Sequence, residues 1–209
     1  MSVSYQVYTR SCGEYATNAY LLVSGTQAIA IDAPPGSFEF YQELSHKLGT
    51  QLHYLLLTHS HFDHIADAAK IQAHGIKVGI HPLDKGNCLQ PGSDRLPQMM
   101  DVKPFTPDFL LEKGDLVLDG FMIKVLHTPG HTPGGVCFII EDLMFSGDTL
   151  FKGAIGNISF PTADRKKMRD SLEVLQNLQA HYTVYPGHGP KTELELEKRF
   201  IKKMLENIG

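Results

Sequence analysis

The segment from residue 58 to residue 64, T-H-S-H-F-D-H, constrains this chain more than any other feature. It places four potential metal ligands directly after an apolar run, residues 52–57, that has the length of a β-strand. Imidazole and carboxylate groups suit a divalent cation such as zinc. A polar surface turn is the alternative, but burying so many ionisable groups without a ligand is costly. The order of the ligands can divide them between two neighbouring ions, His59 and His61 on one and Asp63 and His64 on the other.

Length and charge limit the class of protein. A chain of 209 residues can form one sizeable core, so a single domain spanning residues 1–209 is expected. The formal net charge of -4 gives no basic field, and neither nucleic acid nor a membrane is expected as a partner. The three cysteines lack C-x-x-C spacing and fit a reducing compartment. No signal peptide pattern opens the chain and no apolar run reaches spanning length, which predicts a cytoplasmic location.

Short apolar runs separated by Gly, Pro and Asp-Gly breakers predict a β-rich chain with helices between the strands. The segment 81–107 shows little periodicity and is expected to be an irregular loop over a site, with a short helix near residues 83–89. The pattern predicts an α/β (α+β) fold in which two sheets are covered outside by helices. Predicted strands are 5–8, 19–23, 28–31, 52–57, 76–80, 116–118, 121–126, 136–140, 143–145 and 183–185; predicted helices are 37–48, 65–74, one capped by Thr162 and 193–207.

Five short strands share one feature, because each ends in a polar, Gly- or Pro-rich loop that presents Asp or His. If these ends lie at the same edge of a sandwich, seven side chains can surround two ions about 3.5 to 4 Å apart. Asp32 can instead be a turn-forming carboxylate, and spacing alone favours that interpretation. The five places are Asp32, the 58–64 segment, His131, Asp148 and His188.

Four motifs in this order resemble those of the metallo-β-lactamase superfamily: T-H-x-H-x-D-H at 58–64, H-T-P-G-H-T-P-G at 127–134, F-S-G-D-T-L at 145–150 and Y-P-G-H-G-P at 185–190. The resemblance implies an αββα sandwich of two mixed β-sheets flanked by helices, with two divalent metal ions at one edge. Zinc is the first expectation, and iron or manganese are alternatives. The resemblance implies His59, His61 and His131 on the first metal, Asp63, His64 and His188 on the second, Asp148 bridging them and Asp32 supporting a ligand from behind.

Within the superfamily, the loops look most like the glyoxalase II branch, the hydroxyacylglutathione hydrolases, in its short bacterial form. That likeness implies a thioesterase that cleaves S-2-hydroxyacylglutathione, a small-molecule thioester, by a metal-bound hydroxide, with Asp63 as the catalytic residue that orients the water. The long helical C-terminal extension of the full-length enzymes is missing. Asn157 stands where the branch usually has a basic residue. The further substrate-binding candidates are Phe151 and three cations that can replace that residue, Lys152, Arg165 and Lys191.

Other functions remain open at this point. A persulfide dioxygenase looks similar but uses one iron, held by two histidines and an aspartate, and consumes oxygen. Hydrolases of lactones or other esters, β-lactams and phosphodiesters share the scaffold, although the missing secretion signal disfavours a β-lactamase. A zinc-stabilised binding module would need a closed tetrahedral site. Structural roles are expected for the remaining histidines, His46, His53, His74, His81, His127 and His181.

Overall fold

The computed structural model describes residues 4–97 and 99–208. Within these residues, helices and strands alternate along the whole chain. The strands are β1 (Gln6–Cys12), β2 (Thr17–Ser24), β3 (Gln27–Ile31), β4 (Gln51–Leu56), β5 (Lys77–Ile80), β6 (Phe109–Leu110), β7 (Gly114–Leu118), β8 (Phe121–His127), β9 (Val136–Ile140), β10 (Leu143–Gly147), β11 (Thr183–Pro186) and β12 (Thr192–Glu193). The helices are α1 (Ser37–Leu48), α2 (Phe62–Ile65), α3 (Ala68–Ala73), α4 (Lys85–Leu89), α5 (Arg165–Gln176) and α6 (Leu194–Asn207), with a 3₁₀ turn at Pro82–Asp84.

The strands form two mixed sheets of six. The first has the order β1-β2-β3-β4-β5-β6 and the second β12-β11-β10-β9-β8-β7. The pairs β3–β4, β4–β5, β5–β6 and β10–β11 are parallel, and the remaining pairs are antiparallel. Because parallel neighbours end at the same edge, the loops after β3 and β4 emerge side by side, as do the loops after β10 and β11.

The layers follow from side-chain alternation. Strand β2 is buried over nearly its whole length because its residues alternate between two cores. Leu21 packs with α1 in an outer core, whereas Leu22 packs with Phe138 in the core between the sheets. A third core joins the second sheet to α5 and α6 through residues such as Leu172. The order helix, sheet, sheet, helix confirms the predicted αββα sandwich.

Two helix predictions need correction. The predicted helix 65–74 is divided into α2 and α3, and α2 begins early enough to contain Asp63 and His64. Between the two helices, the Asp67 carboxylate accepts hydrogen bonds from backbone N–H groups at the start of α1. The predicted cap Thr162 is wrong, because α5 begins at Arg165 and Asp164 accepts the capping hydrogen bond. Both residue types cap helices, and Asp is the stronger of the two.

The predicted loop after β5 is confirmed and contains the short helix α4. Val102 and Phe105 insert into the outer core of the first sheet and anchor the loop. In the described ranges, 4–97 and 99–208, no helix has the length and apolar character that crossing a membrane requires.

Candidate metal centre

The seven predicted ligands meet at one edge of the sandwich. His59 and His61 follow β4, Asp63 and His64 open α2, and the other three lie in the loops after β8, β10 and β11. Their ligand atoms form three groups, and within each group all atoms lie within 4.8 Å of one another. The groups are His59 with His61 and His131, Asp63 with His64 and His188, and His59 with His64 and Asp148.

Asp148 lies between the two outer groups. Its Oδ2 is 3.3 Å from His131 Nε2 and 3.6 Å from His188 Nε2. Its Oδ1 is 3.4 Å from His64 Nε2. The carboxylate therefore faces histidines of both groups, as a bridging ligand must.

The donor set fits divalent cations. In the described residues, the buried Nε2 atoms of His59, His61 and His131 and the buried Oδ1 of Asp148 have no hydrogen-bond partner. Buried polar atoms in folded proteins are nearly always paired, so four orphaned atoms converging on one point indicate an absent partner. Imidazole nitrogens and a carboxylate oxygen are the ligands that zinc and iron accept.

Hydrogen bonds from behind orient the imidazoles. His131 donates from Nδ1 to the backbone oxygen of Asn157 at 2.9 Å, and His188 donates from Nδ1 to that of Tyr15 at 3.0 Å. His64 donates from Nδ1 to Asp32 Oδ2 at 2.8 Å. With each Nδ1 engaged as a donor, the neutral form of each ring has its lone pair on Nε2, which faces the centre.

Asp32 supports both outer groups. It is 1% exposed, and its carboxylate accepts hydrogen bonds from His64 and from the N–H and hydroxyl groups of Thr58. The Thr58 hydroxyl in turn accepts from His59 Nδ1 at 3.1 Å. The backbone of Asp32 is left-handed, with a φ of 60°. The turn interpretation based on spacing alone is therefore incomplete, because the side chain faces the metal ligands.

Burial and neighbouring charge separate the histidines into two kinds. Burial, reinforced by His131, lowers the pKa of His61 to about 3. Burial also holds the pKa of His59 well below its usual range, with repulsion from His64 adding to it. These rings are neutral at physiological pH, so their lone pairs are free to bind a cation.

His64 and Asp148 form the charged part of the centre. Burial alone would lower the pKa of His64, but the carboxylates of Asp63, Asp32 and Asp148 outweigh it and raise that pKa well above the usual value. Burial would raise the pKa of Asp148, but His64 above all holds it well below its usual range. The protonated imidazole thus balances the surrounding carboxylates, which is the charge that divalent cations would supply.

A cavity of about 420 Å³ opens onto this centre. Of the predicted substrate contacts, Phe151 and Asn157 line it. Lys152, Arg165 and Lys191 are exposed and lie outside the lining, and no Lys or Arg is found among the described lining residues. The sequence did not predict the other apolar side chains of the lining, which are Tyr15, Phe62, Leu96, Pro97, Met99 and Phe160.

Asp84 connects two of the ligand loops and was also missed. Its Oδ2 accepts a hydrogen bond of 3.0 Å from the N–H of Ser60, and its Oδ1 accepts one of 2.6 Å from the N–H of Gly134. Ser60 lies between two histidine ligands, and Gly134 belongs to the loop of His131. The 3% exposed carboxylate therefore holds the two loops together. Asp84 occurs in the aperiodic segment 81–107, where no sequence signal distinguished it.

Two glycines leave room for the ligands. A Cβ atom at Gly187 would lie 2.1 Å from Asp148 Oδ1 and 2.8 Å from His64 Cε1. A Cβ atom at Gly156 would lie 2.1 Å from the backbone oxygen of Asp148 and 2.8 Å from the His131 ring. Such distances are too short for nonbonded carbon contacts, so both positions require the absence of a side chain.

The histidines expected to be structural lie outside the centre. His81 and His127 stack on each other, with ring centroids 4.1 Å apart. His127 donates from Nε2 to the backbone oxygen of Pro133, although it opens the same motif as His131. His53 contacts Asp119 at the surface. None of these three belongs to the groups of potential ligands found in the described part of the chain.

Several known proteins are similar to this chain over most of its length. A family model described as the metallo-beta-lactamase superfamily matches residues 12–188. "Hydroxyacylglutathione hydrolase GloC" of Haemophilus influenzae is 33% identical over 194 residues, which cover 88% of this chain and 91% of that protein. The crystal structure of "BLEG-1 B3 metallo-beta-lactamase" has a TM-score of 0.82 and 30% identity, covering 93% of this chain and 97% of that one. The structure of "TTHA1623 in a di-iron-bound form" has a TM-score of 0.78 and 36% identity, covering 93% of this chain and 98% of that one.

Proposed function

This chain belongs to the metallo-beta-lactamase superfamily, and from that premise we propose that it is a thioesterase that hydrolyses S-2-hydroxyacylglutathione with two divalent metal ions, for which zinc is the first candidate. The observation that carries the proposal is the position of Asp148 between two groups of candidate ligands, in the first of which all three imidazole Nε2 atoms lack a hydrogen-bond partner. The similarity to a hydroxyacylglutathione hydrolase supports the choice of substrate. The similarity to a di-iron structure makes iron the second candidate metal.

The proposed sites divide the ligands as the sequence motifs suggest. His59, His61 and His131 would hold the first ion, and Asp63, His64 and His188 the second, with Asp148 contacting both. Ions in these positions would polarise the thioester carbonyl and lower the pKa of water. No protein nucleophile is then required, and the remaining tasks fall to the side chains that line the cavity.

Asp63 is the proposed catalytic residue. It lines the cavity, and its Oδ2 accepts a hydrogen bond of 2.6 Å from the Thr17 hydroxyl. Burial would raise the pKa of Asp63, but His64 and then His188 outweigh it and lower that pKa to about 2. The carboxylate is therefore ionised and oriented, so that it can align the attacking water by accepting a hydrogen bond from it.

Asn157, which also lines the cavity, is a proposed contact to the substrate. Its backbone oxygen orients His131, and its side-chain Oδ1 accepts a hydrogen bond of 2.7 Å from Ser159. The side-chain NH₂ can donate to a substrate oxygen. A neutral amide here replaces the cation usual in the branch and weakens the expected affinity for a carboxylate.

The proposed compartment and partners follow from the same properties. Cys12, Cys88 and Cys137 are free and buried, which agrees with a reducing cytoplasm. The net charge of -4 disfavours nucleic acid and anionic membranes as partners. The proposed partner is the small-molecule thioester alone.

The test is hydrolysis of S-lactoylglutathione by protein of measured metal content, beside a metal-stripped and a reconstituted sample. We expect two metals per chain and a kcat/KM of at least about 10⁴ M⁻¹s⁻¹, lost on stripping and restored on reconstitution. Turnover of a β-lactam but not of the thioester would contradict the proposal. A single bound iron with oxygen uptake on a persulfide would support the dioxygenase alternative instead.

A further inference from the structure

The cavity beside the metal centre has a largely apolar lining. Five residues, Tyr15, Phe62, Leu96, Pro97 and Met99, form what we call the apolar wall. Tyr15 and Phe62 pack edge to face, with ring centroids 5.1 Å apart. Apart from the candidate metal ligands, the described lining residues offer a single side-chain amide, that of Asn157. An apolar group is the substrate feature that this wall can stabilise.

Part of the apolar wall is open to solvent. Met99 is 65% exposed and Tyr15 is 39% exposed, and both border the cavity. Exposed apolar side chains that are grouped around a cleft, rather than scattered, mark a binding surface. Leu96, Pro97 and Met99 come from the loop that Val102 and Phe105 anchor in the outer core of the first sheet. This part of the wall is therefore attached to the core.

Charge decides which end of the substrate faces the wall. Glutathione carries two carboxylates and an ammonium group, and transferring these charges from water to an apolar surface is costly. The described lining contains no Lys or Arg to compensate. The acyl group is uncharged, and only its carbonyl must reach the metal centre. A lactoyl group presents just one methyl group, which leaves most of a 420 Å³ cavity unfilled.

We infer that the apolar wall is an acyl-binding subsite and that the preferred substrates are thioesters with acyl groups larger and more apolar than lactoyl. This inference rests on the proposed thioesterase function. Glutathione then extends from the mouth of the cavity, outside the wall. Each buried methylene of the acyl chain should raise kcat/KM about threefold to fourfold while the wall is being covered.

The experiment keeps the thiol constant and varies the acyl chain. Hydrolysis of S-acetyl-, S-butanoyl- and S-hexanoylglutathione is measured with the metal-loaded protein, beside S-lactoyl- and S-mandeloylglutathione. We expect kcat/KM to rise about 80- to 250-fold from acetyl to hexanoyl, which adds four methylenes, and mandeloyl to exceed lactoyl. Replacing Leu96 and Met99 together by Ala should reduce the hexanoyl-to-acetyl ratio at least threefold.

Met122→Ala is the matched control, because Met122 is 71% exposed on β8 and is not a lining residue. It should leave the ratio unchanged. A second readout needs no catalysis: S-hexylglutathione, a thioether, should bind more tightly than S-methylglutathione in calorimetry and with a more negative heat-capacity change.

The outcomes separate the two proposals. Hydrolysis of every thioester with a flat or falling trend in chain length would overturn the acyl subsite and leave the thioesterase intact. No hydrolysis by protein carrying two metals would overturn the thioesterase, and the acyl subsite with it. Equal binding of the two thioethers would overturn the subsite whatever the activity.

Discussion

Asp32, directly after β3, and His64, in α2, are joined by a buried hydrogen bond of 2.8 Å between Asp32 Oδ2 and His64 Nδ1. The same carboxylate reaches His59 through the Thr58 hydroxyl. One aspartate therefore fixes the ring orientation of a histidine in each candidate ligand group. This arrangement connects the end of β3 with both proposed metal sites.

Replacing Asp32 by Asn should weaken metal binding about 10- to 100-fold, the usual effect of losing the partner behind a ligating histidine. The amide keeps the shape of the side chain but places an NH₂ group where a second acceptor is needed. Competition with a fluorescent chelator measures the change. Asp142→Asn, at an exposed hairpin turn, is the control; equal affinities for both variants would argue against the orienting role.

Replacing Asp148 by Asn should be the most damaging single change. Its two oxygens face histidines of both groups at 3.3 to 3.6 Å, so both proposed ions would lose a ligand. We expect fewer than two metals per chain by elemental analysis and a loss in kcat/KM greater than about 100-fold. Losing only the hydrogen-bond partner of a metal ligand already costs about 10- to 100-fold. An unchanged metal content would refute the bridging assignment.

Asp84→Asn should loosen the two loops that carry three of the histidines. An amide can accept only one of the two backbone N–H bonds and presents its NH₂ to the other donor, which leaves a buried N–H unpaired at about 1 to 3 kcal/mol. Asp67→Asn is the control, because Asp67 also accepts two backbone N–H bonds, but at the start of α1 and both on Oδ2. The amide oxygen can keep both of these bonds, so the melting temperature should fall more for Asp84→Asn than for Asp67→Asn.

Only Asp84→Asn should also weaken metal binding, because only its donors belong to ligand loops. Metal affinity relative to the loss of stability is therefore the decisive comparison. If the two variants lose metal affinity equally, Asp84 contributes to folding and not to the geometry of the centre.

His81 should make the protein sensitive to acid. Burial, with a smaller contribution from His127, lowers its pKa to about 4, against about 6.5 in an unfolded chain. Between these values the unfolded chain binds a proton that the folded chain does not. Stability is therefore fully present above pH 6.5 and falls by up to about 3 kcal/mol as the pH drops to 4.

The variant His81→Asn isolates this effect. In the natural chain, His81 Nδ1 accepts a hydrogen bond of 3.3 Å from the N–H of Leu83. An Asn side chain can still accept this bond but does not titrate. In urea unfolding of metal-free protein, the variant should gain stability relative to the natural chain as the pH falls from 6.5 to 4. His181→Asn, at an exposed position, should follow the natural chain. Parallel curves for all three proteins would exclude His81 as the source.

The convergence of the candidate ligands was predictable because it follows a local rule. Each candidate lies in the loop or short helix that follows a short apolar strand, and parallel or adjacent strands bring their ends to one edge. His131, Asp148 and His188 could therefore be grouped with the 58–64 segment although more than 60 residues separate them from it. Periodicity also identified the helices and most strands, since alternation and helical spacing are imposed by the two core faces.

The apolar wall and the Asp84 connection were not predictable by the same means. Leu96, Met99 and Asp84 lie in a segment whose course is set by single anchors in the outer core, such as Val102, and no periodic pattern records that course. Tyr15 lies in the turn between β1 and β2 and reaches the site because β1 pairs with β2 and β2 pairs with β3. The misplaced cap at Thr162 has another cause, because Asp164 offers the stronger cap two residues later.

Gly156 and Gly187 also bear on how this scaffold can change its substrate. A side chain at either position would occupy the space of Asp148, His64 or His131, so a mutant library that randomises these positions would consist almost wholly of inactive members. The lining residues Leu96, Pro97 and Met99 touch the cavity and belong to none of the groups of potential ligands. Natural divergence and laboratory selection toward new acyl groups should therefore accumulate changes at these three residues while the two glycines stay invariant.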